Sequence, residues 1–562
     1  MHSGIFRVRQ LTVFLFFLLS LAGLLLRLFY LQVIRHDQYV KLANEQHVVS
    51  LDVPAKRGTI YDRNMRVLAI NLNSDSVFAN PRLIKNKKFA SRELSDILDI
   101  KESSIRLRLA KDKGFVWIKR KITPNESSRI KKLRIDGIGI VRESKRFYPN
   151  KSLACHVIGS VNIDNLGQEG IELYYDKYLK GEDGCIISAR DAKQKVIESY
   201  QYDFISPKNG FNLVLTVDDV IQHIAERELL KAYQKYHAKA ATIIVMNPST
   251  GDVLALANFP NFDLNQVAAR SKESIRNRAI NDFFEPGSVF KIVTASAALE
   301  ENAANLNDKF YCENGEYRIG KRILHDHTPH GTMTFREIIE KSSNIGTVKV
   351  AALLGQEKMY KYMKLFGFYE KSNIDLPGEV VGMNRPLSKW SGVSMFAIPM
   401  GQEVTTTAIQ LACAISVIAD NGYSVKPRIV RAIVDDKGNV LKEFTPEVRQ
   451  KVISPLTAAK VRGVLMGVVK TGTGKKARIE DYDVGGKTGT AQKVTQGAYS
   501  HDRFIASFIG FAPVEHPVLA VVVSVDEPRP VYYGGDVAAP VFKNVVDESL
   551  KYMNAKAANV PI

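Results

Sequence analysis

The distribution of apolar residues separates a short N-terminal segment from a long remainder of mixed pattern. Residues 11–26 are an unbroken run of apolar and small side chains, LTVFLFFLLSLAGLLL, and after Arg27 the run resumes as far as Ile34. A membrane-spanning helix needs about 20 residues. The run reaches that length if Arg27 extends its charged end toward the interface. We therefore predict a transmembrane anchor at residues 11–33.

The flanks of this run predict its orientation. Arg7 and Arg9 precede it, so the positive-inside rule favours a cytoplasmic tail at residues 1–10. Bulky side chains at residues 28–30 end the run without a small-x-small cleavage site, which favours an uncleaved anchor over a signal peptide. We expect a single-pass protein of the cell inner (cytoplasmic) membrane, with the bulk of the chain periplasmic or extracytoplasmic.

The pattern of the remainder changes after a turn-rich stretch near residue 206. Two strand pairs are predicted, at residues 241–246 with 252–257 and at residues 504–512 with 518–525. The residues between them, from about 286 to 419, are predicted to be mostly helical. Strands at both ends of a helical insert indicate an α+β fold whose antiparallel sheet closes late in the sequence.

Composition and charge exclude some classes of protein. Apolar residues make up 45% and charged residues 24% of the 562 residues, so the chain is globular. Its four cysteines are far apart, so neither a disulfide scaffold nor a zinc site is expected. The formal net charge is +19, and residues 82–151 carry 21 Lys and Arg against 8 Asp and Glu. This basic stretch favours contact with a polyanion, although a solvated basic face explains it equally well.

The first candidate for catalysis is Ser288, in the segment Glu285-Pro-Gly-Ser288-Val-Phe-Lys291. Pro286 before an apolar run marks a helix start, so Ser288 is expected in the first turn with Lys291 on the same face. A serine hydroxyl needs an adjacent base to become a nucleophile. A lysine can be that base if burial lowers its pKa. The Ser-x-x-Lys pattern alone is weak evidence, because Ser128 and Lys131 have the same spacing in a charged, solvated helix.

Two further motifs strengthen this candidate. Ser342-Ser-Asn344 opens a helical run to Leu354, where the same residues could simply cap the helix. Lys487-Thr-Gly-Thr490 follows two glycines on a strand-like segment, and a lysine with two hydroxyls beside a glycine suits a carboxylate ligand. A second KTGT begins at Lys470, but it follows a helix, so we assign the site to Lys487.

The trio Ser288-x-x-Lys291, Ser342-x-Asn344 and Lys487-Thr-Gly, in that order, resembles the penicillin-binding proteins and serine β-lactamases. Segments elsewhere resemble the class B, monofunctional penicillin-binding proteins, and the C-terminal one resembles the division-specific FtsI-type branch. These segments are Arg27-Leu-Phe-Tyr-Leu-Gln-Val-Ile, Arg57-Gly-Thr-Ile-Tyr-Asp-Arg-Asn, Arg146-Phe-Tyr-Pro, Gly167-Gln-Glu-Gly-Ile-Glu172 and Tyr533-Gly-Gly-Asp-Val-Ala-Ala-Pro-Val-Phe542.

The resemblance implies a fold and a domain order. The fold is an α+β transpeptidase domain like that of serine β-lactamases: an antiparallel sheet with helices on both faces and a helical subdomain. One transmembrane helix and an elongated mixed α/β pedestal precede it. The expected boundaries are residues 1–10 for the tail, 11–33 for the anchor, 34–206 for the pedestal or dimerisation-type domain and 207–562 for the transpeptidase domain.

The resemblance also implies a role for each motif residue in a peptidoglycan D,D-transpeptidase of septal cell-wall synthesis, inhibited by β-lactams. Ser288 would attack the D-Ala-D-Ala bond of a stem peptide, Lys291 would be its base and Ser342 would relay the proton. The remaining positions would bind substrate; these are Asn344, Lys487, Thr488, Gly489 and Thr490. No metal and no organic cofactor are expected.

The implied partners are a stem peptide, β-lactams, inner-membrane lipid and a polytopic SEDS-type glycan polymerase with other divisome proteins, and no nucleic acid. Three alternatives stay open at this point. One is a class B transpeptidase of cell elongation. The second is a β-lactam-hydrolysing enzyme, and the third is a β-lactam sensor with the same site. His325 and His327, which flank Asp326, are interpreted as polar loop residues rather than metal ligands.

Overall fold

The architecture is taken from a computed structural model that describes residues 2–190, 196–266, 270–319, 322–495 and 498–558. The chain divides into two compact units. The first comprises residues 1–56 and 181–209, and the second comprises residues 57–180 and 210–562. The predicted pedestal therefore contributes to both units, and the predicted boundary at residue 206 stays a prediction.

The helices of the described residues, in chain order, are α1 (His2–Phe29), α2 (His36–His47), α3 (Lys87–Leu98), α4 (Glu102–Leu109), α5 (Pro124–Leu133), α6 (Cys155–Ile158), α7 (Gly170–Tyr174), α8 (Asp176–Leu179), α9 (Asp219–Lys235), α10 (Lys272–Ile275), α11 (Arg278–Asn281), α12 (Lys291–Glu300), α13 (Phe335–Glu340), α14 (Asn344–Leu354), α15 (Gln356–Leu365), α16 (Ser394–Ala397), α17 (Ala408–Ala419), α18 (Pro455–Lys470) and α19 (Gly534–Ala558).

The strands are β1 (Val48–Val53), β2 (Ile60–Tyr61), β3 (Val67–Ala79), β4 (Val116–Ile122), β5 (Ile138–Phe147), β6 (Gly184–Arg190), β7 (Val196–Ile205), β8 (Asn212–Leu215), β9 (Ala240–Met246), β10 (Val253–Phe259), β11 (Phe283–Phe284), β12 (Lys309–Tyr311), β13 (Glu316–Ile319), β14 (Arg322–His325), β15 (Thr332–Thr334), β16 (Thr406–Thr407), β17 (Tyr423–Val425), β18 (Val430–Val434), β19 (Val440–Glu443), β20 (Val448–Lys451), β21 (Gly485–Thr495), β22 (Ala498–Ala512) and β23 (Leu519–Asp526).

The first unit contains the N-terminal helix and a small antiparallel sheet. Helix α1 continues into a π-helical turn, Tyr30–Ile34. Residues Ile5–Ile34 together are long and apolar enough to cross a membrane, and none of the most apolar window is buried against protein. The predicted anchor lies inside this segment, so the chain has one single-pass anchor candidate in its described part. Strands β1, β6 and β7 form a three-stranded sheet in that order.

The second unit is built on two larger sheets. A seven-stranded sheet has the order β19-β18-β8-β2-β3-β4, with β5 also pairing with β3. It joins strands from residues 57–180 to strands from the C-terminal half, because β2 runs parallel to β8 with Ile60 opposite Leu213. Residues predicted to form the pedestal and residues predicted to form the transpeptidase domain thus belong to one sheet.

The five-stranded sheet has the order β10-β9-β23-β22-β21, all antiparallel. Both predicted strand pairs are present in it, and they meet where β9 pairs with β23. Side chains of a strand point to alternate faces, and both faces are covered. Ile244 and Val522 belong to a buried cluster that includes α12 and α17, whereas Ile243 and Val523 pack with α9 and α19. The predicted antiparallel sheet with helices on both faces is confirmed.

The insert between the two halves of this sheet is less uniformly helical than its pattern predicts. Short strands interrupt it between Lys309 and Thr334, where β12 pairs with β15 and β13 with β14. Aromatic and β-branched residues near glycines favour such hairpins over a helix. These hairpins lead directly into α13 and α14, which carry part of the site described below.

A buried ion network lies in the part of the second unit that precedes the five-stranded sheet. Glu172 accepts from Arg57 Nε and from Arg146 Nε, each at 2.6 Å, and all three side chains are at most 2% exposed. Asp176 accepts from Arg57 Nη1 at 2.6 Å. Burial disfavours the charge of Arg57, but Glu172 and Asp176 outweigh it, so its pKa lies above the ordinary value. The network joins three of the segments quoted above for the resemblance.

Candidate active site

Ser288 lies in a tight turn directly before a buried helix. Gly287–Phe290 form a 3₁₀ turn, and α12 begins at Lys291. The sequence placed Ser288 in a first α-helical turn, whereas the structure has the tighter form that is common at helix starts. Side chains three residues apart eclipse one another in a 3₁₀ turn, so Ser288 and Lys291 lie on the same face.

Lys291 is fully buried and contacts the Ser342 motif. Its Nζ donates to the carbonyl oxygen of Ser342 at 2.7 Å, to Ser342 Oγ at 3.3 Å and to Asn344 Oδ1 at 2.8 Å. In the part of the chain that the structure describes, no carboxylate lies within ion-pair distance of this amine. Burial lowers the pKa of Lys291 to about 7, against a smaller opposing effect of Asp326.

The segment around Ser342 is held in an unusual backbone conformation. Ser342 has φ = +63°, in the left-handed region that L-residues rarely adopt. The next residue, Ser343, caps α14 by accepting from the backbone N–H of Gly346 at 2.9 Å. Asp326 accepts from Ser343 Oγ at 2.6 Å and from the backbone N–H of Asn344. Strain held in this way is typical of functional sites.

Lys487 reaches the same hydroxyl from another segment of the chain. It lies on β21, the edge strand, and its side chain is fully buried. Its Nζ donates to Ser342 Oγ at 2.8 Å. Burial, and secondly the positive charge of Lys291, hold the pKa of Lys487 well below its ordinary value. Two buried lysines thus converge on one serine hydroxyl.

Gly489 is the point where β21 passes closest to the Ser288 turn. A Cβ at this position would lie 2.8 Å from Val289 Cγ1 and 3.1 Å from the carbonyl oxygen of Pro286, so a side chain would push the strand away. Thr490, the next residue, accepts a hydrogen bond from the backbone N–H of Gly534 at 3.1 Å. The glycine therefore allows the edge strand and the serine to approach one another.

The second KTGT motif also reaches the site, through a residue that sequence reasoning missed. Lys470 is the last residue of α18 and pairs with Asp483 on the surface. Thr473, however, lies with its Oγ1 2.7 Å from Thr488 Oγ1. The duplicated motif was the available signal, but only the chain reversal after α18 brings Thr473 to the strand.

The motif residues surround an open cleft of about 830 Å³. Ser288, Ser342, Asn344, Thr488 and Thr490 line it, and the two lysines lie beneath their hydroxyls and amide. The structure thus brings the predicted catalytic and binding residues together around one space. A hydroxyl, two amines of lowered pKa and an exposed strand edge suit nucleophilic attack on a peptide-like carbonyl.

The loop at residues 325–327 also forms part of the cleft. The backbone carbonyl of His325 accepts from Asn344 Nδ2 at 3.0 Å. The ring of His327 stacks on Tyr533 with centroids 5.0 Å apart. This role is not evident from the sequence pattern, because the loop contacts residues that are distant in sequence.

Comparisons with known proteins show the family to which the chain belongs. Residues 241–547 match the penicillin-binding protein transpeptidase domain, and residues 52–215 match the penicillin-binding protein dimerisation domain. The chain is 37% identical to Stage V sporulation protein D of Bacillus subtilis over 98% of this chain and 86% of that protein. It is 31% identical to peptidoglycan D,D-transpeptidase FtsI of Escherichia coli strain K12, over 96% of this chain and 90% of that protein.

A solved structure shows the same architecture. The crystal structure of penicillin-binding protein 3 from Mycobacterium tuberculosis, complexed with aztreonam, matches with a TM-score of 0.70 and 28% identity, covering 90% of this chain and 97% of that chain. The transpeptidase match alone spans more than half of the present sequence. With the dimerisation domain in front of it, the chain belongs to the class B penicillin-binding proteins and is a D,D-transpeptidase of the FtsI type.

Proposed function

We propose that this D,D-transpeptidase crosslinks peptidoglycan stem peptides in septal wall synthesis, with Ser288 as the nucleophile. The observation that carries the proposal is the convergence of Lys291 and Lys487 on the hydroxyl of Ser342, at the edge of a cleft that Ser288 also lines. Three segments far apart in sequence meet there for no evident structural gain, because it is costly to bury two lysines that have no ion-pair partner among the described residues.

In the first half-reaction, Ser288 Oγ attacks the carbonyl between the last two D-alanines while Lys291 takes the hydroxyl proton. A base with a pKa of about 7 is well matched to neutral pH. The backbone N–H groups of Ser288 and Thr490 then stabilise the oxyanion. Loss of one such donor typically costs roughly 10²–10³ in rate.

The leaving amine needs a proton, and Ser342 relays it: Ser342 gives its hydroxyl proton to the amine and receives from Lys291 the proton that Lys291 took from Ser288. A hydroxyl has two acceptor lone pairs and one hydrogen. Both lysines donate to Ser342 Oγ, so its own hydrogen is left to point toward the cleft. The C–N bond breaks, D-alanine leaves, and the peptide remains as an ester on Ser288.

The amine of a neighbouring stem then attacks the ester carbon, forms the crosslink and returns the proton to Ser288. During both steps Asn344 orients the backbone of the donor, and Lys487, Thr488 and Thr490 hold its terminal carboxylate. Gly489 keeps the strand edge open to the peptide. A β-lactam acylates the same serine because its amide occupies the position of the D-Ala-D-Ala bond.

The decisive test is acylation of the full chain by a fluorescent penicillin. Wild type should carry a stable label and Ser288→Ala none. Ser128→Ala, which removes the serine of the other Ser-x-x-Lys spacing, should label like wild type. Labelling of a folded Ser288→Ala protein would refute the assignment.

Two alternatives are separated by related measurements. Rapid turnover of a chromogenic β-lactam would indicate a hydrolase or a hydrolysing relative, whereas slow deacylation supports a transpeptidase. The similarity to FtsI and to the sporulation protein favours the septal role. Filamentous cells after depletion of this protein would support that role. Loss of rod shape without filaments would support the elongation role.

The anchor is proposed to leave the N-terminus in the cytoplasm and the second unit outside the inner membrane, as Arg7 and Arg9 favour. The residues that precede the five-stranded sheet are proposed to engage a SEDS-type polymerase and other divisome proteins. Protease added outside intact spheroplasts should cleave the second unit and leave an N-terminal tag intact. Protection of the second unit from the protease would contradict this topology.

A further inference from the structure

A second cavity, of about 420 Å³, lies beside the catalytic cleft. Its walls include Thr242, Ile505 and Ser524 of the five-stranded sheet and the segment from Arg278 to Glu285. Glu285 and Gln492 line both this cavity and the cleft. The two spaces therefore adjoin at these side chains.

The position of Glu285 is fixed by its surroundings. Its segment packs on β21, since a Cβ at Gly287 would lie 3.2 Å from Ala491 Cβ. Its Oε1 accepts from the backbone N–H of Glu403 at 2.9 Å and from Tyr499 OH at 3.3 Å. The carboxylate is thus held beside the part of β21 that follows Thr490.

Glu285 differs from the other charged side chains that line the cavity. Arg278 pairs with Asp282, and Lys493 pairs with Asp526. Within the described ranges, Glu285 has no cationic partner. Burial raises the pKa of its carboxyl group above the ordinary value. A half-buried carboxylate without a counter-ion is costly unless a cation arrives from outside.

The proposed direction of the donor peptide brings such a cation near. In this proposal the terminal carboxylate of the stem lies at Thr490, and the stem pairs antiparallel with the free edge of β21. The stem then extends toward Gln492. Each residue advances about 3.4 Å. The third stem residue, two before the terminal D-alanine, therefore lies about 7 Å along the strand. That is level with Gln492, where the cleft meets the cavity.

We propose that Glu285 and this cavity bind the side chain of the third residue of the donor stem, a short aliphatic chain that ends in an ammonium group. The inference rests on the proposed function and adds the substrate class. The apolar part of the lining suits methylene groups, and the carboxylate of Glu285 suits the ammonium. The side chains that carry the apolar part are Phe284, Met383, Ala408 and Ile505.

Two natural diamino acids share this chemistry, lysine and diaminopimelate, and the second also carries a carboxylate. Arg278 also lines the cavity, and its guanidinium pairs with Asp282 and Glu273. A preference for diaminopimelate over lysine would indicate that this guanidinium contacts the additional carboxylate.

The test uses the full chain in detergent and four synthetic donor pentapeptides that end in D-Ala-D-Ala. They differ only at the third residue, which is lysine, diaminopimelate, norleucine or alanine. Norleucine has the length of lysine without the ammonium. Release of D-alanine and the mass of the acyl-enzyme give kcat/KM for each donor. Wild type and Glu285→Gln are compared with Glu403→Gln, a matched loss of charge at a neighbour that does not line the cavity.

We expect at least one ammonium-bearing donor to react about tenfold or more faster than norleucine with wild type and with Glu403→Gln. Glu285→Gln should abolish this advantage and leave the norleucine and alanine donors nearly unchanged. Equal rates for norleucine and both diamino acids in wild type would overturn the inference while the proposed function stands. Failure of every donor, together with failure of the fluorescent penicillin, would overturn both.

Discussion

The second unit contains two buried clusters of cationic side chains, and they differ in the group that accepts their hydrogen bonds. In the first cluster, Arg57 and Arg146 donate to one carboxylate, Glu172. In the second cluster, Lys291 and Lys487 donate to one hydroxyl, Ser342. Burial opposes the charge in both clusters, but among the described residues only the first has an anion in direct contact, whereas Asp326 offsets the burial of Lys291 only in part.

This difference separates a structural use of buried charge from a chemical one. The pKa of Arg57 is raised, so its proton stays and the side chain acts as a fixed link between segments. The pKa of Lys291 falls to about 7, so its proton can leave and return near neutral pH. An arginine suits the first use because it stays charged, and a lysine suits the second because burial can neutralise it.

The strongest test of this comparison removes the amine of Lys291. Lys291→Ala should lower the rate of penicillin acylation by about 10²–10⁴-fold, since loss of a general base typically has that effect. The measurement is the second-order acylation rate of the folded full chain. Lys131→Ala is the matched control, because Lys131 has the same spacing from a serine but is exposed and pairs with Asp75. A wild-type rate for Lys291→Ala would remove the chemical role of the second cluster.

The corresponding test of the first cluster neutralises its shared anion. Glu172→Gln should lower the free energy of unfolding by about 3 kcal/mol, because two buried guanidinium groups lose the charge that offsets theirs. Denaturant titration of the full chain in detergent measures this change, with the exposed Glu182→Gln as control. Any folded variant should still acylate at a near-normal rate. An unchanged stability would contradict the structural role.

A pH profile sharpens the contrast without a mutation. Lys291 is a base only when it is neutral, and its pKa of about 7 is lowered from that of an exposed lysine. The acylation rate should therefore rise with pH through about 7, with roughly a tenfold gain between pH 6 and pH 8. Asp326 raises the pKa of the same amine, but by less than burial lowers it, so the direction stands. A rate that falls over this range would exclude a lysine base.

The smallest expected effect concerns the threonine from the second KTGT motif. Thr473→Val keeps the shape of the side chain but removes its hydrogen bond to Thr488. One such bond contributes about 1 kcal/mol, so acylation efficiency should fall about fivefold. Lys470→Ala, at the start of the same motif, should have no effect on acylation. A large loss for Lys470→Ala would mean that the two motifs had been assigned the wrong way round.

Local pattern predicted the fold elements well but not the contacts between them. The strand pairs near Ala241 and Phe504 follow from runs of buried residues, and the helix after Asn344 follows from its cap and periodicity. The order of the motifs then indicated which residues belong to one site. Periodicity does not show which distant segments meet, so the hydrogen bond of Ser343 to Asp326 and the position of Thr473 beside Thr488 were missed.

The first cluster was missed for the same reason. Arg57, Arg146 and Glu172 lie in three segments whose resemblance to the family was evident. Nothing in the sequence shows, however, that both arginines pair with the carboxylate of Glu172. The 3₁₀ turn at Ser288 shows a smaller limit, because α and 3₁₀ starts share the same proline and spacing signals. In each case the missing information is tertiary.

The order of the five-stranded sheet has a consequence for biogenesis. Ile244 pairs with Val522, so neighbouring strands of this sheet are made at widely separated times during synthesis. Such non-local pairings fold slowly, and the early hairpin exposes an unpaired edge until its partner emerges. A nascent chain that stops before Gly485 already carries Ser288 and Lys291 but lacks the strand that brings Lys487. The residues around the cleft therefore come together only after synthesis has passed the last strand of the sheet, which ends at Asp526.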